Sequence, residues 1–292
     1  MRIVRYEQDW KGHYGLVEGA CPEPVEGACP EPVEGDTIYE LEGDVFGDAR
    51  PSREVGKWGE VKLLAPCTPE TIWSNGSNYP SRCYERDFPL PTEPHVLWSP
   101  GTMICGPESE VRIPEFELRP EYGAELGIVL RRDCHNVEES EADEYILGYT
   151  GLNNIWSKDP EHVPYKHPIR VYDTYCPVGP VIDTELDPSD LHLRYYVDGE
   201  LRQDDRTSSM LFSPQLLVSW ISKLVPMKQG DLIMTGTPGG VEHHIVNFGE
   251  TIEVDIEGIG KLRNYVTRVD TGAATFVISV KKWLEQQQEK EG

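Results

Sequence analysis

The sequence Gly148-Tyr-Thr-Gly-Leu-Asn-Asn-Ile-Trp-Ser-Lys-Asp159 places two Asn residues, a Lys and an Asp between apolar segments. It follows the apolar segment 124–130, which carries one carboxylate, Glu125, and it precedes the segment 170–180. Polar side chains in such surroundings are typical of a binding or catalytic site. However, Asn, Gly and Ser at a helix-to-strand turn can also satisfy purely local hydrogen bonds. The stretch alone leaves both interpretations open.

The bulk composition limits the classes of protein that need to be considered. A chain of 292 residues can form one large domain or two, and it can bury a core. Its 27 basic and 51 acidic residues give a net charge of −24, which argues against nucleic acid and anionic membranes as partners. No apolar run approaches the roughly 20 residues of a membrane span, and no signal peptide is recognisable. Seven Cys residues without CxxC spacing favour a reduced, cytoplasmic protein.

Residues 17–35 contain a tandem repeat near the N-terminus. The unit Val-Glu-Gly-Ala-Cys-Pro-Glu-Pro occurs at 17–24 and again at 25–32, and a third copy begins at Val33. The unit is too short and too rarely repeated for a solenoid, and its Pro and Glu residues leave little to bury. A partner-binding loop or a metal-binding Cys pair is the functional alternative. We interpret the repeat as a neutral insertion in a hairpin.

Hydrophobic patterning predicts mostly strands, with two or three helices. Residues 1–66 are expected to form a small N-terminal β domain, and residues 67–292 the main domain. The pattern predicts these elements: strands at 2–6, 13–17, 37–41, 61–65, 124–130 and 230–238, a hairpin at 191–202 turning at Asp198-Gly199, a hairpin around Glu257-Gly258, a helix from Asn136 toward Leu147, a helix beginning at Ser213-Pro214, and a frayed helix end after Trp283.

A series of short motifs follows in a fixed order along most of the chain. They are Asn78-Tyr79, Glu125-Leu126, Gly148-Tyr-Thr150, Asn153, Asp173-Thr174, Gly179-Pro180, Gln203 and Thr235-Gly-Thr-Pro238. In order and spacing they resemble the fumarylacetoacetate hydrolase family. The resemblance implies a mainly β (α+β) fold, a twisted mixed β-sandwich roll with a small N-terminal β domain, and a homodimer.

The resemblance also implies metal chemistry, and here the sequence departs from the family. Family members cleave carbon–carbon bonds in diketo acids, or decarboxylate or isomerise related keto-enols, with Mg²⁺ or Mn²⁺ held by three carboxylates. The three matching positions are Gly123, Glu125 and Asn154, so one carboxylate remains. A neutral Asn cannot replace a lost charge. We therefore expect no cofactor, or a weakly bound Mg²⁺ or Mn²⁺ at a vestigial Glu125.

Other positions that the family uses for chemistry have changed as well. The position of the family's His is Arg82, which cannot act as a general base, although the accompanying Glu is kept as Glu85. A family Lys position is Ser99. By resemblance, the catalytic candidates are Arg82, Glu85, Lys158, Glu161 and Arg170, and the substrate-binding candidates are Tyr79, Asn154 and Thr237. The candidate replacement bases are Glu85, Glu161, His162 and His167. For the two His residues, a position in a loop without function is the simpler interpretation. His243-His244 is interpreted as structural.

Three functional hypotheses follow. The first is an enzyme that acts on a small anionic keto-enol or diketo acid by a metal-independent lyase, isomerase or cyclase-type reaction. The second is an ordinary Mg²⁺- or Mn²⁺-dependent hydrolase or decarboxylase, and the third is a non-catalytic binding paralogue. Convergence on one cavity would favour an enzyme, whereas an open or apolar pocket would favour the paralogue. The residues expected to converge are Arg82, Glu125, Lys158, Arg170 and Thr237.

Overall fold

The structure is a computed structural model that describes residues 1–18, 31–115, 117, 120–157, 172–242 and 245–271. Among these residues, no helix is long and apolar enough to cross a membrane. Several sequence predictions fall outside the described residues: the centre of the repeat, Lys158, Glu161, His162, His167, Arg170, His243-His244 and the tail after Trp283.

Strands are the main secondary structure of the described chain, with only two short α-helices, which confirms the predicted mainly β fold. The helices are α1 (Pro80–Glu85) and α2 (Pro214–Leu224), with 3-10 turns at Gly101–Met103, Glu139–Tyr145 and Thr207–Ser209. The strands are β1 (Arg2–Gln8), β2 (Lys11–Glu18), β3 (Thr37–Glu42), β4 (Arg50–Lys57), β5 (Leu63–Leu64), β6 (Thr71–Gly76), β7 (His95–Pro100), β8 (Ile104–Cys105), β9 (Glu110–Pro114), β10 (Pro120–Glu121), β11 (Ala124–Leu130), β12 (Ile146–Asn153), β13 (Trp156–Ser157), β14 (Cys176–Asp183), β15 (His192–Val197), β16 (Glu200–Arg206), β17 (Leu232–Met234), β18 (Thr251–Ile256) and β19 (Gly260–Val269).

Two sheets enclose the core. The larger, mixed sheet has the order β4-β3-β2-β1-β14-β12-β11-β17-β6-β7, with β5 beside β1 and β8 beside β14. The smaller sheet has the order β16-β15-β18-β19-β9. The two sheets face each other at Gly151 of β12. A Cβ atom at this position would lie 3.6 Å from Ile256 Cδ1 in the small sheet. Because β1 pairs antiparallel with β14, the large sheet continues across the predicted boundary at residue 66.

The helix predicted from Ser213 is confirmed, whereas the one predicted from Asn136 is wrong. Ser213 Oγ accepts a hydrogen bond of 3.1 Å from the Leu216 N–H, as expected of an N-cap. Asn136 instead has a positive φ of 55°, which differs from the extended conformation of an N-cap residue. Only a 3-10 helix, Glu139–Tyr145, forms before the chain enters β12. The segment from Gly148 to Asn153 is consequently buried strand, not a helix-to-strand turn.

Asn78 connects the helix α1 to the strand β17. Its side-chain Nδ2 donates hydrogen bonds to the carbonyls of Phe212 (3.0 Å) and Thr235 (2.7 Å), and its Oδ1 accepts one from the Phe212 N–H (2.8 Å). All three bonds are buried, so they satisfy backbone groups that would otherwise lack partners. The first residues of α1 are thereby fixed next to the Thr-Gly-Thr-Pro turn.

Candidate active site

A cavity of about 450 Å³ lies at the ends of β6, β7 and β11 and beside α1. Arg82, Glu125, Asn154 and Thr237 all line it, so four of the predicted site residues converge. Tyr79 and Glu85 are not among the residues that line it. Glu125 is the one acidic side chain among the described residues around the cavity. The other lining residues are Ser74, Asn75, Gly76, Ser77, Arg86, Phe88, His95, Leu97, Trp98, Ser99 and Trp156.

Glu125 is held at the cavity wall by two neutral donors. Asn154 Nδ2 donates to Glu125 Oε1 at 2.9 Å, and the Gly236 N–H donates to Glu125 Oε2 at 2.6 Å. The residue is only 2% exposed. Burial raises the pKa of Glu125 to about 7, although the hydrogen bonds from Asn154 and Gly236 act to lower it. A carboxyl group with this pKa can both accept and donate a proton near neutral pH.

Thr237 fills the space that a side chain at position 123 would need. A Cβ added to Gly123 would lie 2.8 Å from both the Cβ and the Oγ1 of Thr237. Thr237 is itself fixed by Gln203, whose Nε2 donates to Thr237 Oγ1 at 2.8 Å and whose Oε1 accepts from the Ala124 N–H at 2.9 Å. A carboxylate therefore cannot be placed at position 123 unless Thr237 moves.

The residues at the expected metal site do not fit a divalent cation. Glu125 is the one carboxylate present, and both of its oxygens already accept hydrogen bonds from neutral N–H donors. Asn154 directs its amide nitrogen, which is not a ligand, toward Glu125, and Gly123 has no side chain. Mg²⁺ and Mn²⁺ prefer several oxygen ligands including carboxylates. Within the described parts of the chain, no group of three His, Cys, Asp or Glu residues could hold a metal ion.

Arg82 lies in an ionic cluster at the edge of the cavity. Its Nη1 is 2.7 Å from Glu85 Oε2 and 3.4 Å from Glu242 Oε2, and its Nη2 is 3.6 Å from Glu121 Oε2. The Arg86 Nε, in the same cluster, is 3.5 Å from Glu242 Oε2. Arg82 is 4% exposed, and breaking a buried ion pair by removing one partner is costly. Arg82 therefore has a structural role whether or not it also contacts a substrate.

Glu85 clamps the turn that follows the Thr-Gly-Thr-Pro motif. Its Oε1 accepts hydrogen bonds from three successive N–H groups, those of Gly240 (3.1 Å), Val241 (3.1 Å) and Glu242 (3.0 Å). Burial acts to raise the pKa of Glu85, but hydrogen bonds from the Glu242 N–H, the Arg82 side chain and the Gly240 N–H outweigh it and leave the pKa lowered. A carboxylate held in this way is a weak base, so the geometry favours an anchoring role.

Tyr79 is fully buried and does not line the cavity. Its pKa is raised well above the ordinary value, first by burial and then by the nearby Asp205 and Glu125 carboxylates. Its hydroxyl has no hydrogen-bond partner among the described residues. The predicted role of Tyr79 in substrate binding stays a prediction.

No sequence signal pointed to His95 and Leu97, which form the outer wall of the cavity together with Ser99, the position of a family Lys. His95, Leu97 and Ser99 alternate along β7 and project from one face of the strand, as the period of two requires. Arg86 lies with its guanidinium 4.9 Å from the ring centroid of Phe88. Residues 95–99 show no polar–apolar alternation that would mark one face, and only the pairing of β7 with β6 brings these side chains to the cavity.

Comparison with known proteins identifies the family of enzymes to which this β-rich fold belongs. Residues 71–267 match the family model described as "Fumarylacetoacetate (FAA) hydrolase C-terminal", and residues 1–66 match one described as "Rv2993c-like, N-terminal". The chain belongs to the fumarylacetoacetate hydrolase family, as the sequence predicted.

Two known proteins from different organisms are similar to this chain in sequence. A Xenopus laevis protein named oxaloacetate tautomerase fahd2, mitochondrial, is 33% identical over 218 residues, which cover 70% of this chain and 68% of that protein. Protein Rv2993c of Mycobacterium tuberculosis is 38% identical over 213 residues, covering 72% of this chain and 80% of that protein.

Solved structures extend the similarity to nearly the whole chain. A crystal structure of 5-carboxymethyl-2-hydroxymuconate delta-isomerase from Mycobacterium smegmatis has a TM-score of 0.79 and 32% identity, covering 92% of this chain and 100% of that one. The structure of 2-hydroxyhepta-2,4-diene-1,7-dioate isomerase from Mycobacterium marinum has a TM-score of 0.78 and 33% identity, covering 92% and 98%. These similarities confirm the predicted twisted, mixed β fold.

Proposed function

We propose that this chain is a keto–enol isomerase of small anionic organic acids, with Glu125 as the group that moves the proton. The observation that carries the proposal is the position of Glu125: a buried carboxyl at the cavity wall, hydrogen-bonded by neutral donors and titrating near pH 7. Relatives named as a tautomerase and as isomerases support this reaction class. No step requires a hydrolytic water.

The reaction needs one proton to move from oxygen to carbon. Ionised Glu125 takes the proton of the substrate's enol hydroxyl, which leaves an enolate. The electron pair of the enolate's C=C bond then takes that proton from Glu125 at the adjacent carbon, while an electron pair of the oxygen forms the C=O bond. The carboxylate is regenerated, so the step balances without a co-reactant. Each Glu125 oxygen accepts one hydrogen bond in the structure, and a carboxylate oxygen has a further lone pair for the substrate.

Two guanidinium groups at the cavity offer N–H donors to an anion, and their charge is offset by the carboxylates of the same cluster, Glu85, Glu121 and Glu242. Arg82 and Arg86 are the two cationic side chains among the described residues around the cavity. Guanidinium groups suit carboxylates, and they also stabilise the negative charge that develops on the enolate oxygen. In this proposal the two Arg residues donate hydrogen bonds to the substrate acid, and the hydrogen bonds from Asn154 and Gly236 hold the Glu125 carboxylate toward it.

The test is the rate at which enol-oxaloacetate converts to the keto form, followed by ultraviolet absorbance against the spontaneous rate. We expect Glu125→Gln to reduce the enzymatic rate at least about 100-fold, since an amide cannot carry the proton and general acid–base groups contribute 10²–10⁴-fold. The control is Glu144→Gln, which alters an exposed side chain paired with Arg132. Full activity of Glu125→Gln would refute the assignment.

Two further expectations stay predictions. We propose a cytoplasmic homodimer, as the resemblance and the reduced-thiol interpretation imply. The five Cys residues in the described chain are free thiols: Cys67, Cys83, Cys105, Cys134 and Cys176. Sedimentation equilibrium of the purified chain measures the oligomeric state directly, and a monomer at micromolar concentration would contradict the dimer.

A further inference from the structure

Three large apolar residues that line the cavity are unusually exposed. Phe88 is 48% exposed, Leu97 51% and Trp98 65%. Leu97 and Trp98 are neighbours on β7, the strand that ends the large sheet, and Phe88 lies in the loop between α1 and β7. We call these three residues the apolar rim. Single apolar residues at a surface need no explanation, but three that line one cavity indicate a surface that binds an apolar group.

Both guanidinium groups at the cavity lie next to an aromatic ring. The Arg86 Cζ atom is 4.9 Å from the ring centroid of Phe88, and the Arg82 Cζ atom is 5.9 Å from that of Trp156, which also lines the cavity. A carboxylate that accepts hydrogen bonds from these guanidiniums therefore lies close to both rings. The part of the ligand that follows its carboxylate then faces aromatic side chains.

The charges around the cavity disfavour a second carboxylate on the ligand. The guanidiniums of Arg82 and Arg86 already pair with three carboxylates, those of Glu85, Glu121 and Glu242. One ligand carboxylate can still accept N–H groups from the two guanidiniums. A second one would meet no further Lys or Arg side chain among the described residues around the cavity, and it would add repulsion between like charges.

Resting on the proposed function, we propose that the substrate is a monocarboxylic keto-enol acid with an aromatic substituent on the carbon that receives the proton, that is, an aryl-substituted enolpyruvate. The two guanidiniums bind its carboxylate, its enol reacts at Glu125, and its ring packs against the apolar rim. The cavity of about 450 Å³ lies within the roughly 300–1,000 Å³ of drug-sized ligand sites, so it has room for the ring. Conjugation of the ring with the C=C bond stabilises the enol form of such an acid.

The experiment measures binding by titration calorimetry with three unreactive acids. They are propanoate, 3-phenylpropanoate, which adds the ring, and butanedioate, which adds a carboxylate at the same carbon. The weaker acids are measured by displacement of 3-phenylpropanoate. We expect 3-phenylpropanoate to bind at least about tenfold more tightly than propanoate, because burial of about 60 Å² of the ring's apolar surface supplies this factor. Butanedioate should bind no more tightly than propanoate.

Two variants locate the ring, and each has a matched control. Leu97→Ser and Phe88→Ser remove apolar surface from the rim, and each should reduce the difference between 3-phenylpropanoate and propanoate at least about threefold. The controls are Leu201→Ser and Phe248→Ser, at positions that are 49% and 44% exposed and do not line the cavity. Phe248, like Phe88, lies beside a guanidinium group. Both controls should leave the difference unchanged.

The outcomes separate this inference from the proposed reaction. Equal affinity of the wild-type chain for 3-phenylpropanoate and propanoate, tighter binding of butanedioate, or a difference that survives both rim variants would overturn the inference. A changed sedimentation coefficient of the rim variants with an unchanged difference would overturn it too, because the rim would then be an interface between copies of the chain. Failure of the proposed reaction would appear instead as full activity of Glu125→Gln, since binding of unreactive acids makes no use of catalysis.

Discussion

The side-chain amide of Asn154 donates a hydrogen bond of 2.9 Å to the Glu125 carboxylate, at the position where the family resemblance implies a second carboxylate. An Asp there would need a cation to neutralise two adjacent charges. The amide instead satisfies one carboxylate directly, so a buried Glu125 is tolerated without a metal ion. This pair of residues explains why Glu125 remains available for proton transfer.

Restoring the carboxylate should reverse this arrangement. In Asn154→Asp, a partly buried carboxylate faces the buried Glu125, and the two like charges raise a pKa and destabilise the ionised form. We expect a stability loss on the order of 2 kcal/mol at pH 8, less than the roughly 3–5 kcal/mol for a fully buried charge that loses its partner, because position 154 is only partly buried. The loss should be much smaller at pH 5.5, where Glu125 is protonated.

The exposed pair Asn247 and Glu250 provides a matched control for that variant. Asn247 Nδ2 donates to Glu250 Oε1 at 2.7 Å, and solvent screens the pair. Asn247→Asp should therefore shift Tm little at either pH. Added Mn²⁺ should raise the Tm of Asn154→Asp, because the variant offers a second carboxylate ligand. An equal Tm loss in both variants would contradict this interpretation.

The stability of the wild-type chain should fall as the pH rises from about 4.5 to 7. Folding raises the pKa of Glu125 from 4.5 to about 7, so in this window the folded chain binds more protons than the unfolded chain. The stabilisation by protonated Glu125 is therefore lost as the pH rises. The raised pKa corresponds to roughly 3 kcal/mol of unfolding free energy, at about 1.4 kcal/mol per pKa unit. Urea unfolding at several pH values measures it.

The variant Glu125→Gln isolates this contribution. Its amide does not titrate, so the difference in unfolding free energy between variant and wild type should change steadily between pH 4.5 and 7. Above pH 7 the variant should be the more stable protein. A difference that is constant with pH would show that Glu125 ionises in the folded chain as it does in water.

Glu85 should behave as an anchor and not as the base. We expect Glu85→Gln to lower stability by about 1–3 kcal/mol, since it leaves Arg82 without its nearest carboxylate and weakens the three hydrogen bonds from the turn at 240–242. The pH dependence of the residual isomerase rate should keep its apparent pKa near 7. A lost or shifted titration in that variant would instead identify Glu85 as the proton-transfer group.

The fold and half of the candidate site could be predicted because they depend on local pattern. The strand carrying Glu125, the helix capped by Ser213 and the turn at Asp198-Gly199 follow from a continuous apolar run, helix capping and turn chemistry. The helix expected from Asn136 failed because Asn136 adopts a positive φ and β12 begins at Ile146. There, the pairing of β12 with its neighbouring strands outweighed the helix pattern of the local sequence.

The remaining parts of the site depend on contacts between residues distant in the chain. Thr237 excludes a side chain at Gly123 from 114 positions away, and nothing local to either residue shows it. The sequence shows Glu85 only as an acidic residue close to Arg82. The fold brings it to the N–H groups of residues 240–242, whose hydrogen bonds it accepts. His95 reaches the cavity only through the strand order, which sequence alone did not provide.

The most direct test of metal-independent proton transfer is the isomerase rate with and without divalent cations. The purified chain is treated with excess EDTA, desalted into metal-free buffer, and assayed with enol-oxaloacetate and with 2-hydroxyhepta-2,4-diene-1,7-dioate. We expect kcat/KM to change less than about twofold when millimolar Mg²⁺ or Mn²⁺ is restored, because the described site has a single carboxylate whose oxygens are already hydrogen-bonded. Activity that is lost in EDTA and recovered with either ion would contradict the role assigned to Glu125.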